Sequence, residues 1–484
     1  MKRTFYILLI ALGLLGGSCI NHKTSLQKPN IVFVFADDQR EGTINHLGNN
    51  EVITPNLDRL AEEGMSFSNT YIMGSFSGAV CQPSRAMLLT GKKLNNLTKS
   101  GAILPEQDTL LGETLQSAGY NCFGIGKYHN DPASYVRGFN EGQDVYFGGM
   151  FDQWNVPLHS REGAKNFKKF ARPVLKNYRK SNKLSHEQGE YVYGGKHSAD
   201  IFTEGTIEYI KNYDSEKPFF VYTSFMTPHD PRSTHQRYFD MYDTVNISLP
   251  DNFLPEHPFN NGELRIRDEK TAGFPRRASE IKEHIRDYYA LITHNDEKLG
   301  QIVQALKEKG VYDNTIIIYS GDNGLAIGQH GLMGKQNLYE HSTNVPLIIS
   351  GGNIKKNVRT KAMVYLTDLY PTICEIVGIN IPHSVEGISF QSVLENKEKE
   401  HRPYIFTSYR SSQRAIRNQE YKLIKYHVKG EPKREQLFDM QNDPYETNNL
   451  YGNQEYAKVY NELNTAFYKA LIEFEDNIWD KENN

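Results

Sequence analysis

Asp37-Asp38 and Asp322-Asn323 place three carboxylates and an amide oxygen in two short polar strings, each behind a run of β-branched and aromatic residues. Such oxygen donors suit a hard divalent cation, calcium or magnesium, better than zinc, which more often recruits histidine or cysteine. Either string alone also reads as strand-end punctuation: Asp-Asp can cap the next segment, and Gly321-Asp322-Asn323-Gly324 makes a good turn. Gly126-Lys127-Tyr128-His129, Thr227-Pro228-His229-Asp230-Pro231 and the glycine-rich run from Gly328 to Lys335 add histidines able to move protons and lysines able to hold an anion. A lone histidine is more often a surface or core residue, so these gain weight only if they share a site. Between the acidic strings lies Cys81-Gln82-Pro83-Ser84-Arg85, followed by the apolar Ala86 to Thr90 and Gly91. By itself Cys81 could be a small apolar residue ahead of a helix with Pro83 in its first turn.

The elements that must position these groups follow from hydrophobic patterning. Ile31 to Ala36, Cys122 to Ile125, Pro218 to Phe225 and Thr315 to Ser320 read as buried strands, and Pro346 to Ser350 as another. Helical patterns fall between them at Pro55 to Glu63, Ser84 to Thr90, Thr109 to Ala118, Ser198 to Lys211 and about 281 to 309, with Leu366 to Val377 later. Alternating strands and helices predict an α/β fold built on a large, mostly parallel central sheet sandwiched by helices. Asp37 and Asp38, Lys127 and His129, His229, and Asp322 and Asn323 each follow a strand directly. In such a sheet the carboxyl ends of the strands converge on one edge, so residues far apart in sequence are expected to share one site there.

The string Cys81-x-Pro-Ser-Arg with Thr90-Gly91 behind it resembles the signature of the cysteine-type sulfatases. The resemblance extends through Asp37-Asp38, the Gly-Lys-x-His element at Gly126 to His129 (Tyr128 replacing a frequent tryptophan), Pro228-His229-Asp230-Pro231, Asp322-Asn323 and the segment ending at Lys335, from about Asn30 to Gly351. It implies the alkaline-phosphatase-like fold, and oxidation of Cys81 to formylglycine by a sulfatase-maturing enzyme. It implies calcium, with magnesium as the alternative, held by Asp37, Asp38, Cys81 in its converted form, Asp322 and Asn323. One hydroxyl of the aldehyde hydrate would attack sulfur, with Asp322 helping to remove its proton. Arg85, Lys127 and Lys335 would supply positive charge, and His229, assisted by Lys335, would protonate the departing oxygen. His129 would then take the proton of the second hydroxyl as sulfate leaves. His330 stays open between a substrate-side and a structural part.

The 484-residue chain has a formal charge of -3, which excludes a general nucleic-acid binder. The run from Arg161 to Lys183 is nonetheless strongly basic, with Glu162 as its one acid. It reads either as a solvated face or as a field over the site that attracts a polyanion, extended by Lys92, Lys93 and Lys99. Sulfated glycosaminoglycan fragments fit the second reading. The resemblance of Gly328 to Ser342 to bacterial glycan sulfatases related to iduronate-2-sulfatase points to a uronate 2-O-sulfate, with a 6-O-sulfated hexosamine as nearest competitor.

Met1-Lys2-Arg3, the apolar run Phe5 to Leu15 and Gly16-Gly17-Ser18-Cys19 form a leader in residues 1–19 and predict export to the periplasm. Lipid attachment at Cys19 and simple cleavage both stay open. Cys122 and Cys374 are expected to be buried and unpaired. Residues 28–395 form the expected catalytic domain. From 396 to 484 short alternating segments and an amphipathic stretch, Tyr456 to Glu475, predict a smaller antiparallel sheet with a terminal helix. Two other functions stay open: a phosphonate or phosphodiester hydrolase of the same superfamily, and a non-enzymatic glycan-binding lipoprotein with Cys81 unconverted.

Overall fold

In a computed structural model, residues 28–167, 172–174, 185–187 and 189–481 are described. The leader with Cys19, and Lys168, Lys169, Lys176, Arg179, Lys180 and Lys183 of the basic run, lie outside them. The early strands are β1 (Asn30–Asp37), β2 (Gly64–Tyr71), β3 (Gly74–Ser75), β4 (Asn121–Lys127), β5 (Glu141–Tyr146), β6 (Arg172–Val174) and β7 (Ser185–Glu187). They are followed by β8 (Phe219–Pro228), β9 (Thr315–Gly321), β10 (Leu347–Ser350) and β11 (Val358–Tyr365). The last four are β12 (Ile405–Tyr409), β13 (Gln413–Arg417), β14 (Tyr421–Tyr426) and β15 (Arg434–Asp439).

An 8-stranded sheet has the order β11-β2-β10-β9-β1-β8-β4-β5. All its pairings are parallel except those of β10, which is antiparallel to both β9 and β2. β1 lies between β8 and β9 and is buried along its whole length, as its unbroken apolar run requires. Its side chains alternate between two layers. Ile31, Phe33 and Phe35 pack with Leu88, Leu369 and Ile373 on one face, while Val32, Val34 and Ala36 pack with Leu57, Phe202 and Ile302 on the other. Thus the helices Cys81–Thr90 and Leu369–Ile376 cover one face, and Pro55–Glu62, Ser198–Asn212 and the long helix Ala278–Lys309 cover the other. This is the α/β sandwich expected from the sequence.

In the large sheet, the strands that hydrophobic runs do not reveal are β2, β5 and β11. β5 and β11 are the two edges of the sheet; on β11 Arg359 and Lys361 face water and discourage further pairing, and on β5 Glu141, Gln143 and Asp144 break the apolar run. β2 is interior but carries Ser66, Ser68 and Asn69; the Asn69 amide donates to Lys361 O at 2.8 Å.

The expected small sheet is present as β15-β14-β13-β12, and β3 adds to its end, parallel to β12. Its faces also alternate: Ile416 and Leu423 pack under the helix Ala457–Glu473 with Phe467, whereas Ala415 and Ile424 join the core of the large sheet. Gly74 makes the β3 contact feasible, because φ is +90° and a Cβ there would sit 2.0 Å from Ser408 O. Cys122 and Cys374 are buried and free, as expected.

Candidate active site

Four strand ends build the site. β1 closes on Asp37, and Asp38 turns away with φ +67°, donating its N–H to Asp322 Oδ1 at 2.9 Å. β9 closes on Gly321, and the Asp322 N–H returns to Ala36 O at 3.1 Å, locking the two acidic strings together. β4 closes on Lys127 after Gly126, whose φ is +93° and whose place would put a Cβ 2.0 Å from Ser224 O. β8 closes on Pro228, so His229 emerges at the same edge. Cys81 begins the helix Cys81–Thr90, which aims its first residue at that edge and buries Arg85 beneath it.

The groups converge on the Cys81 sulfur. His129 Nδ1 lies 3.2 Å from Cys81 Sγ, Lys335 Nζ 3.8 Å and Lys127 Nζ 3.9 Å. The carboxylates are answered by three cations: Lys127 pairs with Asp37, Lys335 with Asp38, and Arg85 bridges two of them, with Nε 2.8 Å from Asp322 Oδ2 and Nη2 3.8 Å from Asp37 Oδ1. His229 Nε2 stands 3.5 Å from Asp38 Oδ2, and its Nδ1 is 2.7 Å from Asp230 O and 3.2 Å from Asp230 Oδ1. The Asn323 amide donates to Asp38 Oδ1 at 2.8 Å. Asp37 Oδ1 and Asn323 Oδ1 are buried with no hydrogen-bond donor. Ligand atoms of Asp37, Cys81 and Asp322 lie within 4.8 Å of one another.

Burial and charge set the protonation of these groups. Burial alone would raise Asp37, but Lys127, His229 and Arg85 reverse this and hold it well below the usual carboxylate range. Burial, with the Asp37 carboxylate close by, pushes Asp322 up. Burial pushes the Cys81 thiol up to about 11 despite the two ammonium groups beside it. Burial, then Lys127, drives His129 well below its ordinary value, so its ring is neutral. Burial also disfavours the charged ring of His229, but the Asp38 carboxylate overcomes that and raises it.

All the site residues expected from the sequence meet at this edge. Arg85 is fully buried and committed to Asp322, to Lys127 O at 2.8 Å and to Ser224 Oγ at 2.5 Å, so it organises the carboxylates from below. The His330 ring stacks on Tyr339 at 4.0 Å and its Nε2 meets the Asn252 amide at 3.1 Å, which gives it a structural place. Ser224 and the Gly149 carbonyl, which accepts from Lys127 Nζ at 2.5 Å, were not visible in the sequence. Ser224 sits inside a uniform strand and Gly149 in an unpatterned loop, so neither carried a signal. Lys92 and Lys93 do not extend a basic field: they pair with Asp108 at 3.3 Å and Glu473 at 3.8 Å. Arg161 is likewise anchored, donating Nε to Phe139 O at 2.7 Å.

His197, Asp200 and His294 form a further cluster of metal-type side chains. Its lone pairs are already taken. His197 Nδ1 accepts from Ala199 N–H and its Nε2 meets Ser233 O at 2.9 Å, while Lys298 and His235 each sit 2.7 Å from Asp200. It ties the segment after β8 to the long helix.

A family profile described as Sulfatase matches residues 29–379, and one described as N-sulphoglucosamine sulphohydrolase, C-terminal, matches residues 328–472. An N-acetylglucosamine-6-O-sulfatase of Bacteroides thetaiotaomicron is 27% identical over 552 residues, with 99% of this chain and 92% of that protein covered. An arylsulfatase of Clostridium perfringens is 29% identical, with 92% and 94% covered. A solved structure of a protein with its substrate D-glucosamine-2-N,6-O-disulfate superposes with a TM-score of 0.75 at 24% identity, covering 94% of this chain and 100% of that one.

Proposed function

The chain belongs to the sulfatase family and is a hydrolase of sulfate esters; from that premise we propose that it removes sulfate from sulfated sugars, with a glucosamine 6-O-sulfate as the preferred ester. The observation that carries the reading is the meeting of His129, Lys127 and Lys335 around Cys81 Sγ, over a floor of buried carboxylates. The 6-O preference draws on the full-length similarity to an N-acetylglucosamine-6-O-sulfatase. That shifts the weight from the uronate 2-O-sulfate favoured on sequence, which remains the second reading.

The donor set fits a cation and a converted Cys81. Asp37, Asp38, Asp322 and Asn323 are hard oxygen donors, and Asp37 Oδ1 and Asn323 Oδ1, which accept no hydrogen bond, are places a calcium ion would fill. The thiol is the misfit, a soft donor among hard ones, and with its pKa pushed to about 11 it is a poor nucleophile at neutral pH. An oxygen-bearing group at position 81 cures both. The cation would supply charge neutralisation to the sulfate, and the aldehyde derived from Cys81 would supply the oxygen nucleophile.

The chain's own residues do the rest. The Lys127 and Lys335 ammonium groups, 3.9 and 3.8 Å from Cys81 Sγ, hold sulfate oxygens and offset the charge that grows in the transition state. Arg85 keeps Asp322 and the Lys127 carbonyl in register. His229, whose protonated form the Asp38 carboxylate favours and whose ring Asp230 orients through Nδ1, donates its Nε2 proton to the departing sugar oxygen. His129, neutral and 3.2 Å from Sγ, accepts a proton from the group at position 81 when sulfate leaves. Export, read from the leader in residues 1–19, completes the proposal, since a polymer-derived sugar sulfate is met outside the cytoplasm.

Ion chromatography of sulfate released from defined disaccharides by the matured protein tests this. Release from the 6-O-sulfated glucosamine member, lost on Cys81→Ala, is expected. Release only from 2-O-sulfated members would move the regiochemistry, and undiminished release by Cys81→Ala would end the proposal.

A further inference from the structure

Lys335 lies in a glycine-rich loop between β9 and β10, and such a loop does not fix a long side chain by itself. A strap formed by residues 250–277, ahead of the helix Ala278–Lys309, runs along it. The Asn252 carbonyl accepts the His330 N–H at 2.7 Å, and Arg276 Nε donates to Gly331 O at 3.1 Å. The closest fit is at Glu269. Its two carboxylate oxygens accept the N–H groups of Met333 and Gly334, each at 2.9 Å, just before Lys335. The fully buried Arg276 side chain holds that carboxylate at 2.5 Å and also donates to Glu269 O and Ala272 O at 2.9 Å.

The neighbours of Glu269 reach the other reacting groups. Asp268 Oδ2 accepts from Gln336 Nε2 at 2.7 Å, and Gln336 Oε1 accepts the Lys335 N–H at 3.1 Å. Arg267 Nη1 donates to Asp230 Oδ2, and the other oxygen of that carboxylate stands 3.2 Å from His229 Nδ1. One run of consecutive residues therefore grips the lysine loop on one side and the histidine loop on the other.

We propose that Arg267, Asp268 and Glu269 form a brace that sets Lys335 and His229 in register with each other across the scissile bond. They are positioning residues: none contacts Cys81, and each acts through the loop or carboxylate it holds. The inference rests on His229 being the leaving-group acid and Lys335 a sulfate ligand. Displacement of a reacting group by about 1 Å costs on the order of a hundredfold in rate, so releasing either arm should be measurable without unfolding the protein.

The two arms predict different kinetics. A nitrophenyl sulfate needs little protonation of its leaving oxygen, whereas a glucosamine 6-sulfate departs as an alkoxide and depends on the acid. Arg267→Ala, at a side chain 43% exposed, is expected to slow the sugar ester about a hundredfold more than the aryl ester, with Arg267→Lys recovering most of the loss. Glu269→Gln is expected to slow both esters together and to weaken binding of inorganic sulfate measured by calorimetry, with thermal unfolding confirming the fold. Equal slowing of both esters by Arg267→Ala, or unchanged sulfate affinity in folded Glu269→Gln, overturns the brace. His229→Ala in the same assay separates the layers. If it discriminates between the esters and Arg267→Ala does not, the brace alone fails. If it slows both equally, the assignment of His229 fails, and the lysine arm is judged on sulfate affinity.

Discussion

At the scale of single residues the site is a balance of buried charges. Asp37, Asp38 and Asp322 would repel one another in a dry pocket, and Lys127 answers Asp37, Lys335 answers Asp38, and Arg85 answers both Asp322 and Asp37. The balance is incomplete, because Asp37 Oδ1 and Asn323 Oδ1 have no donor within hydrogen-bond distance, Arg85 Nη2 standing 3.8 Å from the former. A calcium ion that binds this folded arrangement and not the unfolded chain must stabilise it, by about 2.7 kcal/mol when present at a hundred times its dissociation constant. Melting in EGTA is therefore expected at a lower temperature than in calcium, read by scanning fluorimetry on purified protein. Asp322→Ala should lose most of that difference; an unaltered calcium response would argue that the ion binds elsewhere. The sequence showed these residues because each string sits behind an apolar run, but it held no sign of which cation answers which carboxylate, or that Arg85 answers two.

Elements decide which residues can meet. β4 must stop where β8 still runs beside it, and Gly126 allows this by taking φ +93° with the Ser224 carbonyl against its α-carbon. Gly126→Ala combines a left-handed backbone, costing roughly 1–2 kcal/mol, with a contact that requires one strand to shift. A fall of at least about 2 kcal/mol in unfolding free energy is expected, read from urea midpoints, with Lys127 drawn away from Asp37. Unchanged midpoint and turnover would show that the strand end tolerates a side chain. The pattern Gly126-Lys127-x-His129 was legible as a motif, while the steric need for glycine comes from the neighbouring strand and is not legible. Edge strands obey the same logic: β11 turns Arg359 and Lys361 outward and β5 is interrupted by Glu141, Gln143 and Asp144, so hydrophobic runs could not mark them.

Over the whole molecule, the large sheet and the carboxy-terminal sheet are joined by buried polar ties. Asp368, at the start of the helix Leu369–Ile376, accepts from Tyr365 N at 2.9 Å, Ile388 N at 2.8 Å, and Arg402 Nε and Nη2 at 2.7 and 2.5 Å. Arg402 leads into β12. Burial would raise the Asp368 carboxyl, but the Arg402 guanidinium reverses that and holds it well below the usual carboxylate range. A depressed folded pKa stabilises the fold fully above the usual carboxylate range, and that contribution is lost as pH falls below it. Asp368→Asn is expected to cost about 3–5 kcal/mol at neutral pH and to make stability less sensitive to acid than in the parent protein. Equal pH slopes in the two proteins, from urea unfolding between neutral and acid pH, would remove Asp368 from the account. Nothing near Asp368 in sequence pointed to Arg402, because a salt bridge between distant segments leaves no local pattern.

The sequence by itself determined the chemistry and its address. Cys81 with Pro83, Ser84 and Arg85, the paired acids and the histidine strings name a class of reaction, and their places behind apolar runs put them on one edge of a parallel sheet. That much is local, because strand patterning and motif spacing are written in neighbouring residues. Only the tertiary structure decided how the groups are partnered: which cation faces which carboxylate, that Arg85 lies beneath the site, and that residues 267–269 hold Lys335 and His229 from outside it. Those are contacts between distant segments, fixed by packing and by the cost of leaving buried polar groups unpaired.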